Sequence, residues 1–406
     1  MKIKLLLNAQ KILFYLTLLF LPTQLGKHFW PDFSQVFGIR VDYLSPTLYL
    51  TDAFIILLAI SCLIKLFFSR KRHKFSIFNT PYAIRYMLCA ICILALGILF
   101  SKSPLAGWYG LLKFLEFLFF GFYTAKNINT VRQWIIITTI FSIGIFFESL
   151  ISITQYILGH SLNGLFYYFG ERAFNSQTPN IANASINGQL ILRPYGTFSH
   201  PNVLAGYLII AMTMVIFNFQ SCLSADRFSI FNLKRGFYTC SLIAGTIALF
   251  LTLSRIATLL WLLILVWLVI INFKKWLNKQ LYTIRYLPYA ISALIIGSVF
   301  VFPTVWQRFI GSNFIELSIV QRIDLISASL RMIQASPLFG VGLNNFLVNL
   351  PQFYTGRTTV FFLQPVHNIY LLAMAEIGII GLGLFVWFIG KTFTRIKNQE
   401  SRRENS

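Results

Sequence analysis

The chain of 406 residues is 57% hydrophobic and only 11% charged, whereas an average soluble domain has about 25% charged residues. Its mean hydropathy is +0.70, and apolar runs of about 20 residues, long enough to cross a bilayer, recur along it. This composition excludes a soluble globular protein. The short segments of alternating polar and apolar residues that are typical of an outer-membrane barrel are absent from the sequence. We therefore predict an all-α, polytopic helical membrane protein with a single integral-membrane domain over residues 1–406.

The apolar runs predict about ten transmembrane helices. The predicted spans are residues 12–26, 48–68, 81–100, 106–125, 133–158, 202–222, 237–254, 256–273, 286–306 and 367–390. Two long outer loops follow from this assignment, over residues 159–201 and 307–366, and the larger one contains a predicted amphipathic helix. Residues 391–406 form a basic tail, which we predict to be cytoplasmic.

The net charge of +22 is explained by where the basic residues lie. If the N-terminus is inside, most of the 34 Lys and Arg residues fall in inner segments, which is the positive-inside bias of membrane proteins. Both termini are therefore predicted to be cytoplasmic. The charge indicates topology and predicts no nucleic-acid partner; contact with anionic membrane lipid is a secondary consequence.

Three charged residues fall inside the fourth and fifth predicted spans, where charges are costly and face a partner or a cavity. Lys113 and Glu116 are one helical turn apart, and Glu148 lies in the next span. The ordinary interpretation is a Lys113–Glu116 pair that settles helix packing. The alternative is a path for protons or substrate.

The end of the first long loop is the stretch Arg193-Pro-Tyr-Gly-Thr-Phe-Ser-His-Pro-Asn202. Ser199 or His200 is suited to cap the following helix, and Pro201 suits its first position. This arrangement predicts an outward-facing helix N-terminus with Arg193 nearby, which attracts anions. An ordinary helix that starts with proline is the simpler alternative.

The stretch Leu251-Thr-Leu-Ser-Arg255 joins two predicted spans with no loop between them. It places Arg255 in a tight outer hairpin. This arginine either extends to the lipid headgroups, as long basic side chains do at membrane surfaces, or it belongs to an anion site.

The first half of the second long loop is predicted to be helical from about Ile315 to Ala335. At 100° per residue, Arg322 falls in the middle of the apolar arc, whereas a surface helix places its arginine on the wet face. We therefore expect Arg322 to point into the protein, towards an anionic group. The alternative is a buried structural pair with Glu148 or Glu376.

The last span opens with Pro365-Val-His-Asn-Ile-Tyr370, which places His367 in the first turn of the predicted helix. The positive end of the helix dipole disfavours an imidazolium, so a histidine there stays neutral and able to accept a proton. The sequence therefore predicts a base beside an anion site.

The sequence contains no phosphate-binding loop for ATP, no histidine cluster with the spacing of metal ligands and no serine nucleophile elbow. It also shows no internal repeat of the kind that many transporters have. The predicted outer face instead combines arginines with histidines. Guanidinium groups bind phosphate oxygens in bidentate fashion and stabilise a departing diphosphate, and a neutral histidine deprotonates an attacking hydroxyl. This chemistry predicts no metal and no cofactor.

Four stretches, in this order, resemble signatures of the O-antigen ligase superfamily. They are Arg193–Asn202, Ser254-Arg255, the run from Arg322 through Pro337-Leu-Phe-Gly-Val-Gly342, and His367-Asn-Ile-Tyr-Leu through Glu376-Ile-Gly-Ile-Ile-Gly-Leu382. The resemblance covers roughly residues 190–382. Two features differ from the family pattern: Ile326 replaces an aromatic residue, and only one span follows the loop with Arg322.

The resemblance implies a membrane glycosyltransferase that uses a polyprenyl-diphosphate-linked glycan on the outer face of the bacterial cytoplasmic membrane. The glycan would pass to a hydroxyl of a glycan or glycolipid acceptor, by a ligase or, alternatively, by a polysaccharide polymerase; a transporter of an anion or glycan is the third possibility. The resemblance implies His367 as the catalytic base and Arg255 and Arg322 as diphosphate ligands. We add Arg193 to the ligands and predict supporting roles for His200, Asn202, Asn368 and Glu376.

Overall fold

The computed structural model describes residues 2–68, 82–179, 181–186, 189–222, 230–277, 317–356 and 363–404. This part of the chain is mostly helical, as predicted. The helices are α1 (Lys2–Leu19), α2 (Leu50–Phe68), α3 (Tyr82–Leu99), α4 (Pro104–Asn127), α5 (Val131–Leu158), α6 (Pro201–Cys222), α7 (Ile230–Leu251), α8 (Arg255–Leu277), α9 (Leu317–Ala335), α10 (Phe346–Phe353) and α11 (Ile369–Glu404).

Four of the described helices are long and apolar enough to cross a membrane. They comprise α2, α4, α5 and the Ile369–Thr394 part of α11. Shorter apolar helices occur at Leu5–Leu19, Met87–Leu99, Pro201–Phe217, Gly236–Leu251 and Arg255–Leu268. The predicted span 286–306 lies outside the described residues, so ten spans and the orientation of the chain stay predictions.

Small two-stranded sheets occur in two connections between helices. The strands are β1 (Gly26–His28), β2 (Gln35–Val36), β3 (Ile39–Arg40), β4 (Thr47–Tyr49), β5 (Asn183–Ile186) and β6 (Gln189–Leu192), paired as β1–β4, β2–β3 and β5–β6. Two of these pairs, β2–β3 and β5–β6, are antiparallel. Short 3₁₀ turns cover Asp32–Ser34, Asp42–Leu44 and Gly164–Phe169. The predicted all-α chain therefore carries small β elements in its loops.

The chain divides into two compact units. The first unit consists of Met1–Gly26, Tyr49–Lys65 and Tyr123–Ser312. Its centre is α5, which packs against α1, α6 and α7. Apolar side chains such as Ile145, Leu208 and Met212 are fully buried there, and close van der Waals packing of this kind holds membrane helices together.

The second unit consists of Lys27–Leu48, Leu66–Phe122 and Asn313–Ser406. Its core is formed by one face of α9, by α10 and by the start of α11. The buried side chains include Leu325, Ala328, Met332, Phe346, Leu347, Leu350, Val366 and Ala375, and they also include Val36, Val41 and Leu44 of the connection between α1 and α2. The residues just before α11 are thus fixed by a continuous apolar core.

Candidate active site

His367 lies just before α11, two residues ahead of the first residue of the helix. The helix begins at Ile369, and the Asn368 side-chain oxygen accepts hydrogen bonds from the N–H groups of Tyr370 (3.0 Å) and Leu371 (3.2 Å). Asn368 is therefore the cap of the helix, so the prediction that His367 belongs to the first turn is wrong. The cap satisfies the first N–H groups and fixes the direction in which the chain enters the helix.

The imidazole of His367 is held in an orientation that suits a base. Its Nδ1 lies 3.1 Å from the Pro365 carbonyl oxygen, which accepts only if Nδ1 carries the proton. Nε2 is then the nitrogen that accepts a proton. Partial burial of the ring and the nearby positive charge of Arg322 lower the pKa of His367, while the bond to Pro365 raises it less. The net effect favours the neutral, basic form.

Arg322 lies at the edge of the buried face of α9 and is exposed. The buried face is formed by Leu325, Ala328 and Met332, while the apolar Ile323 beside it is also exposed. The prediction that Arg322 points into the protein is therefore wrong, because only part of the apolar arc faces the core. Its charge nevertheless lowers the pKa of His367, so these two predicted site residues lie within electrostatic range of each other.

The alternative of a buried pair between Arg322 and a carboxylate is not what the structure shows. In the part of the chain that it describes, neither Glu148 nor Glu376 forms an ion pair with Arg322. Both carboxylates instead accept hydrogen bonds from loops, as described next. The guanidinium of Arg322 is therefore not neutralised by either of these acids.

Helix α11 is broken at Gly378, whose backbone adopts φ +64° and ψ −172°. The break frees backbone groups on both sides, and the stretch Pro337–Gly342 satisfies them. The N–H groups of Val341 and Gly342 donate to the carbonyls of Ala375 (2.8 Å) and Glu376 (2.9 Å). In return, the N–H of Ile379 donates to the Pro337 carbonyl (2.9 Å). Two of the sequence signatures thus pair with each other through their backbones.

The carboxylate of Glu376 fixes the loop before α10. Its two oxygens accept the N–H groups of Asn344 (3.0 Å) and Phe346 (3.1 Å). Asn345, which sequence reasoning missed, is fully buried and exchanges hydrogen bonds with the backbone of Ser103, at the start of α4. Glu376 therefore fixes the loop between α9, which carries Arg322, and α11, which follows His367. Its supporting role in a reaction stays a prediction.

In the first unit, Gln155 of α5 holds the stretch Arg193–Asn202. Its side-chain oxygen accepts the N–H groups of both Tyr195 and Gly196 (2.9 Å each), and its nitrogen donates to the Gly196 carbonyl (3.0 Å). The same nitrogen donates to Glu171 (2.8 Å). Gln155 is fully buried, so each of these bonds forms away from water.

Two turns earlier on the same face of α5, Glu148 performs a similar task. It is 1% exposed and accepts both the N–H (2.9 Å) and the hydroxyl (2.8 Å) of Thr197. Gly196, at φ +58°, approaches so closely that a Cβ atom would overlap the Glu148 carboxylate. The intramembrane acid therefore positions the loop, a role that the sequence alone did not indicate.

Arg193 is buried and serves the protein's own structure. Its Nε donates to the Thr252 carbonyl (2.8 Å) and its Nη2 to the Asn202 side-chain oxygen (2.6 Å). Thr252 lies in the tight turn between α7 and α8, where Leu253 has a left-handed backbone (φ +52°) and α8 begins at Arg255. The predicted hairpin is confirmed, and the structure brings Arg193 to the turn that carries Arg255.

His200 caps α6, as its position predicted. Its Nδ1 accepts the N–H of Asn202 (3.1 Å), the second residue of the helix. Arg172, which sequence reasoning did not single out, lies next to this cap: it donates to the Ser199 carbonyl (2.8 Å) and lies over the Tyr195 ring.

Residues 240–386 match the family model described as O-Antigen ligase. The predicted resemblance to the O-antigen ligase superfamily is confirmed. The match supports a membrane glycosyltransferase of ligase or polymerase type. No curated protein and no solved structure matches the chain.

The O-antigen ligase match contains Arg255, Arg322, His367 and the interlocked stretches around Gly378. Arg193 lies before its first residue. Among the described residues, no group of three His, Cys, Asp or Glu side chains is placed to hold a metal ion. Lys113 and Glu116 form the predicted ion pair at 3.2 Å. Its role in helix packing stays a prediction.

The break in α11 gives a first testable prediction for the matched region. A Cβ atom at Gly378 would overlap the Leu338 backbone, and the φ of +64° disfavours any side chain. We expect Gly378→Ala to lower the thermal unfolding midpoint of the detergent-solubilised protein. Gly383→Ala is the matched control, because no atom lies within 4 Å of a Cβ built there. Equal midpoints for the two variants would contradict the pairing of Pro337–Gly342 with the break in α11.

A second prediction concerns Gln155. Gln155→Leu leaves the N–H groups of Tyr195 and Gly196 without their buried acceptor, which costs about 1–3 kcal/mol for each unsatisfied group. We expect a marked loss of thermal stability and faster proteolysis within residues 193–202. Thr154→Ala, one residue earlier on an exposed face, is expected to change neither. If residues 193–202 resisted proteolysis in Gln155→Leu as well as in the wild type, α5 would not be what holds this loop.

Proposed function

We propose that the protein is a metal-independent membrane glycosyltransferase of ligase type. It takes a glycan from a polyprenyl diphosphate carrier at the outer face of the bacterial cytoplasmic membrane and transfers it to a hydroxyl of a glycan or glycolipid acceptor. The observation that carries this proposal is that, inside the matched region, burial and the positive charge of Arg322 lower the pKa of His367, so a guanidinium acts electrostatically on the candidate base.

In the proposed reaction, Nε2 of His367 removes the proton of the acceptor hydroxyl as its oxygen attacks the anomeric carbon. The bond from that carbon to the diphosphate oxygen breaks, so a single displacement inverts the configuration. Arg322 binds the diphosphate, whose negative charge grows as it leaves, and stabilises it electrostatically. The same guanidinium keeps His367 neutral before the proton is transferred.

The remaining predicted residues are assigned supporting tasks. Asn368 caps the helix that follows His367, and Glu376 holds the loop between α9 and α11. Arg193 and Asn202 bind each other at the α7–α8 turn. Direct contact of Arg193 and Arg255 with the diphosphate stays a prediction.

The test is a transfer assay on the purified protein with a synthetic polyprenyl-diphosphate-linked glycan. Release of free polyprenyl diphosphate is measured with EDTA present, with glycolipid acceptors in one reaction and a second lipid-linked glycan in another. Release that survives EDTA and requires the glycolipid supports the ligase. Release that requires the second lipid-linked glycan supports the polymerase, and donor binding without any release contradicts the transferase.

A further inference from the structure

The connection between α1 and α2, residues 27–48, presents an apolar tip that the proposed reaction does not use. Strands β2 and β3 form a hairpin in which Val36 pairs with Ile39, so the loop consists of Phe37 and Gly38 alone. Phe37 is 67% exposed and Ile39 is 55% exposed. Two large apolar side chains therefore stand at the end of the hairpin.

The backbone of Phe37 is strained. Its φ is +54° and that of Gly38 is +75°, and two-residue hairpin loops of this kind favour Asn-Gly, because asparagine tolerates a left-handed backbone. A bulky residue with positive φ is an outlier. Keeping an aromatic ring here costs stability, and such strain concentrates at functional positions.

The other face of the connection is firmly packed. Val36, Val41 and Leu44 belong to the core of the second unit, together with Val366, three residues before the spanning part of α11. The N–H of Thr47 donates to the Tyr109 hydroxyl (3.1 Å), five residues into the spanning helix α4. Two spanning helices of the same unit therefore start beside this connection, which places it at the level of a membrane surface.

We propose that the hairpin tip, Phe37 with Ile39, inserts into the interfacial layer of the lipid bilayer. Exposed aromatic and aliphatic side chains beside basic ones are typical of segments that lie in this layer. Tyr43, also exposed, extends the apolar surface. Lys27 and Arg40 are balanced by Asp32 and Asp42, so the insertion is driven by apolar contact and does not require anionic lipid.

A carbohydrate platform is the competing explanation for exposed aromatic residues. The tryptophan of this connection does not favour it, because Trp30 is already stacked on His28 at 5.6 Å and covered by Arg40 at 5.4 Å. The tip itself combines a phenyl ring with an aliphatic side chain. Acyl chains accommodate both, whereas a sugar stacks only on the ring.

The consequence for activity rests on the proposed function. Because the packed face of the connection shares a core with Val366, an anchored tip fixes the depth of His367 in the membrane. The phosphates of a lipid-linked donor lie at headgroup level. The hairpin would therefore hold the base at the height of the bond that breaks.

The decisive experiment is photo-crosslinking of the full-length protein in lipid nanodiscs. The aromatic photo-crosslinker p-benzoylphenylalanine replaces Phe37, and mass spectrometry counts peptides that carry one covalently attached lipid. Gln177 is the matched control position, because it is exposed next to the polar Asn175 and Thr178. We expect several-fold more lipid adduct at position 37, in phosphatidylcholine and in phosphatidylglycerol alike.

Equal yields at positions 37 and 177 would overturn the proposal. If the crosslinker instead formed adducts with the sugars of an added acceptor glycolipid and none with membrane lipid, the proposal would also be overturned. That result would indicate a glycan-binding surface. An adduct that forms only with phosphatidylglycerol would show charge-driven binding, against an apolar insertion. None of these results depends on transfer activity, so failure of the proposed function remains distinguishable.

A pair of substitutions separates membrane contact from folding. Phe37→Asn creates the favoured turn sequence, so the thermal unfolding midpoint is expected to stay equal or rise, while Phe37→Leu retains an apolar tip. Transfer in nanodiscs is expected to fall several-fold in Phe37→Asn and to stay near wild type in Phe37→Leu. A lowered unfolding midpoint in Phe37→Asn would assign Phe37 to folding and overturn the proposal. An unchanged rate would overturn the depth-setting role.

Discussion

His367→Ala is expected to reduce glycan transfer by about 100- to 10,000-fold, the range that a positioned general base contributes. The variant should still fold, because His367 is exposed and Asn368, which caps α11, is unchanged. The measurement is the initial rate of polyprenyl diphosphate release, with donor binding followed separately. Near-normal binding with lost release would place the defect in the chemical step.

The pH dependence follows from the direction of the pKa shift. The base acts in its neutral form, so the rate should rise with pH through the pKa of His367, which lies below the ordinary value of 6.5. Transfer is therefore expected to be near its plateau at neutral pH. An acidic limb centred above the ordinary value would contradict the electrostatic effect of Arg322 on this histidine.

His200 provides the matched control for the catalytic histidine. Its Nδ1 caps α6, and asparagine is an equally good cap, so His200→Asn should preserve the helix start and most of the activity. If His200→Asn abolished transfer while His367→Ala retained it, the role of the base would be assigned to His200 of the first unit.

Local chemistry predicted the parts of the fold that depend on neighbouring residues. The tight hairpin before Arg255, the cap at His200 and the Lys113–Glu116 pair all follow from patterns within a few residues. The helix carrying Arg322 was predicted from about residue 315 to 335, and α9 is described from 317 to 335. These features follow from capping, helical periodicity and short-range charge pairing.

The long-range ties were not predictable from such patterns. Gln155 holds the N–H of a residue 40 positions later, and Glu376 holds one 32 positions earlier. No periodicity indicates those partners. The break at Gly378 was also hidden, because the apolar run Ile377–Leu382 resembles a continuous membrane helix until the backbone of Pro337–Gly342 is seen to satisfy it.

The orientation of Arg322 illustrates a limit of helical periodicity in a membrane protein. The sequence shows which arc of α9 is apolar, but that arc divides between the core, with Leu325 and Met332, and an exposed stripe with Ile323 and Leu330. In a soluble protein the whole apolar arc would be buried. Next to a membrane, part of it can face lipid, so the position of an arginine within the arc does not determine whether it points inward.

Arg322→Ala is expected to lower transfer by about 100- to 1000-fold, the usual effect of removing one donor that stabilises the departing charge. Folding should be preserved, because the side chain is exposed and the buried face of α9 is unaltered. The control is Arg331→Ala on the same helix. Arg331 binds the Phe353 carbonyl (3.0 Å) at the end of α10, so its loss should affect stability more than the chemical step.

Removal of Arg322 should also change the pH profile, which a purely structural residue would not do. Without the guanidinium, the pKa of His367 rises towards its ordinary value, so the acidic limb of the residual rate moves to higher pH. Arg322→Lys separates the two functions of the side chain: the charge remains, so the limb should stay in place, while loss of the planar two-pronged contact lowers the rate. Full activity in Arg322→Ala, or an unmoved limb, would remove Arg322 from the diphosphate site and leave the family match without the geometry that supports it here.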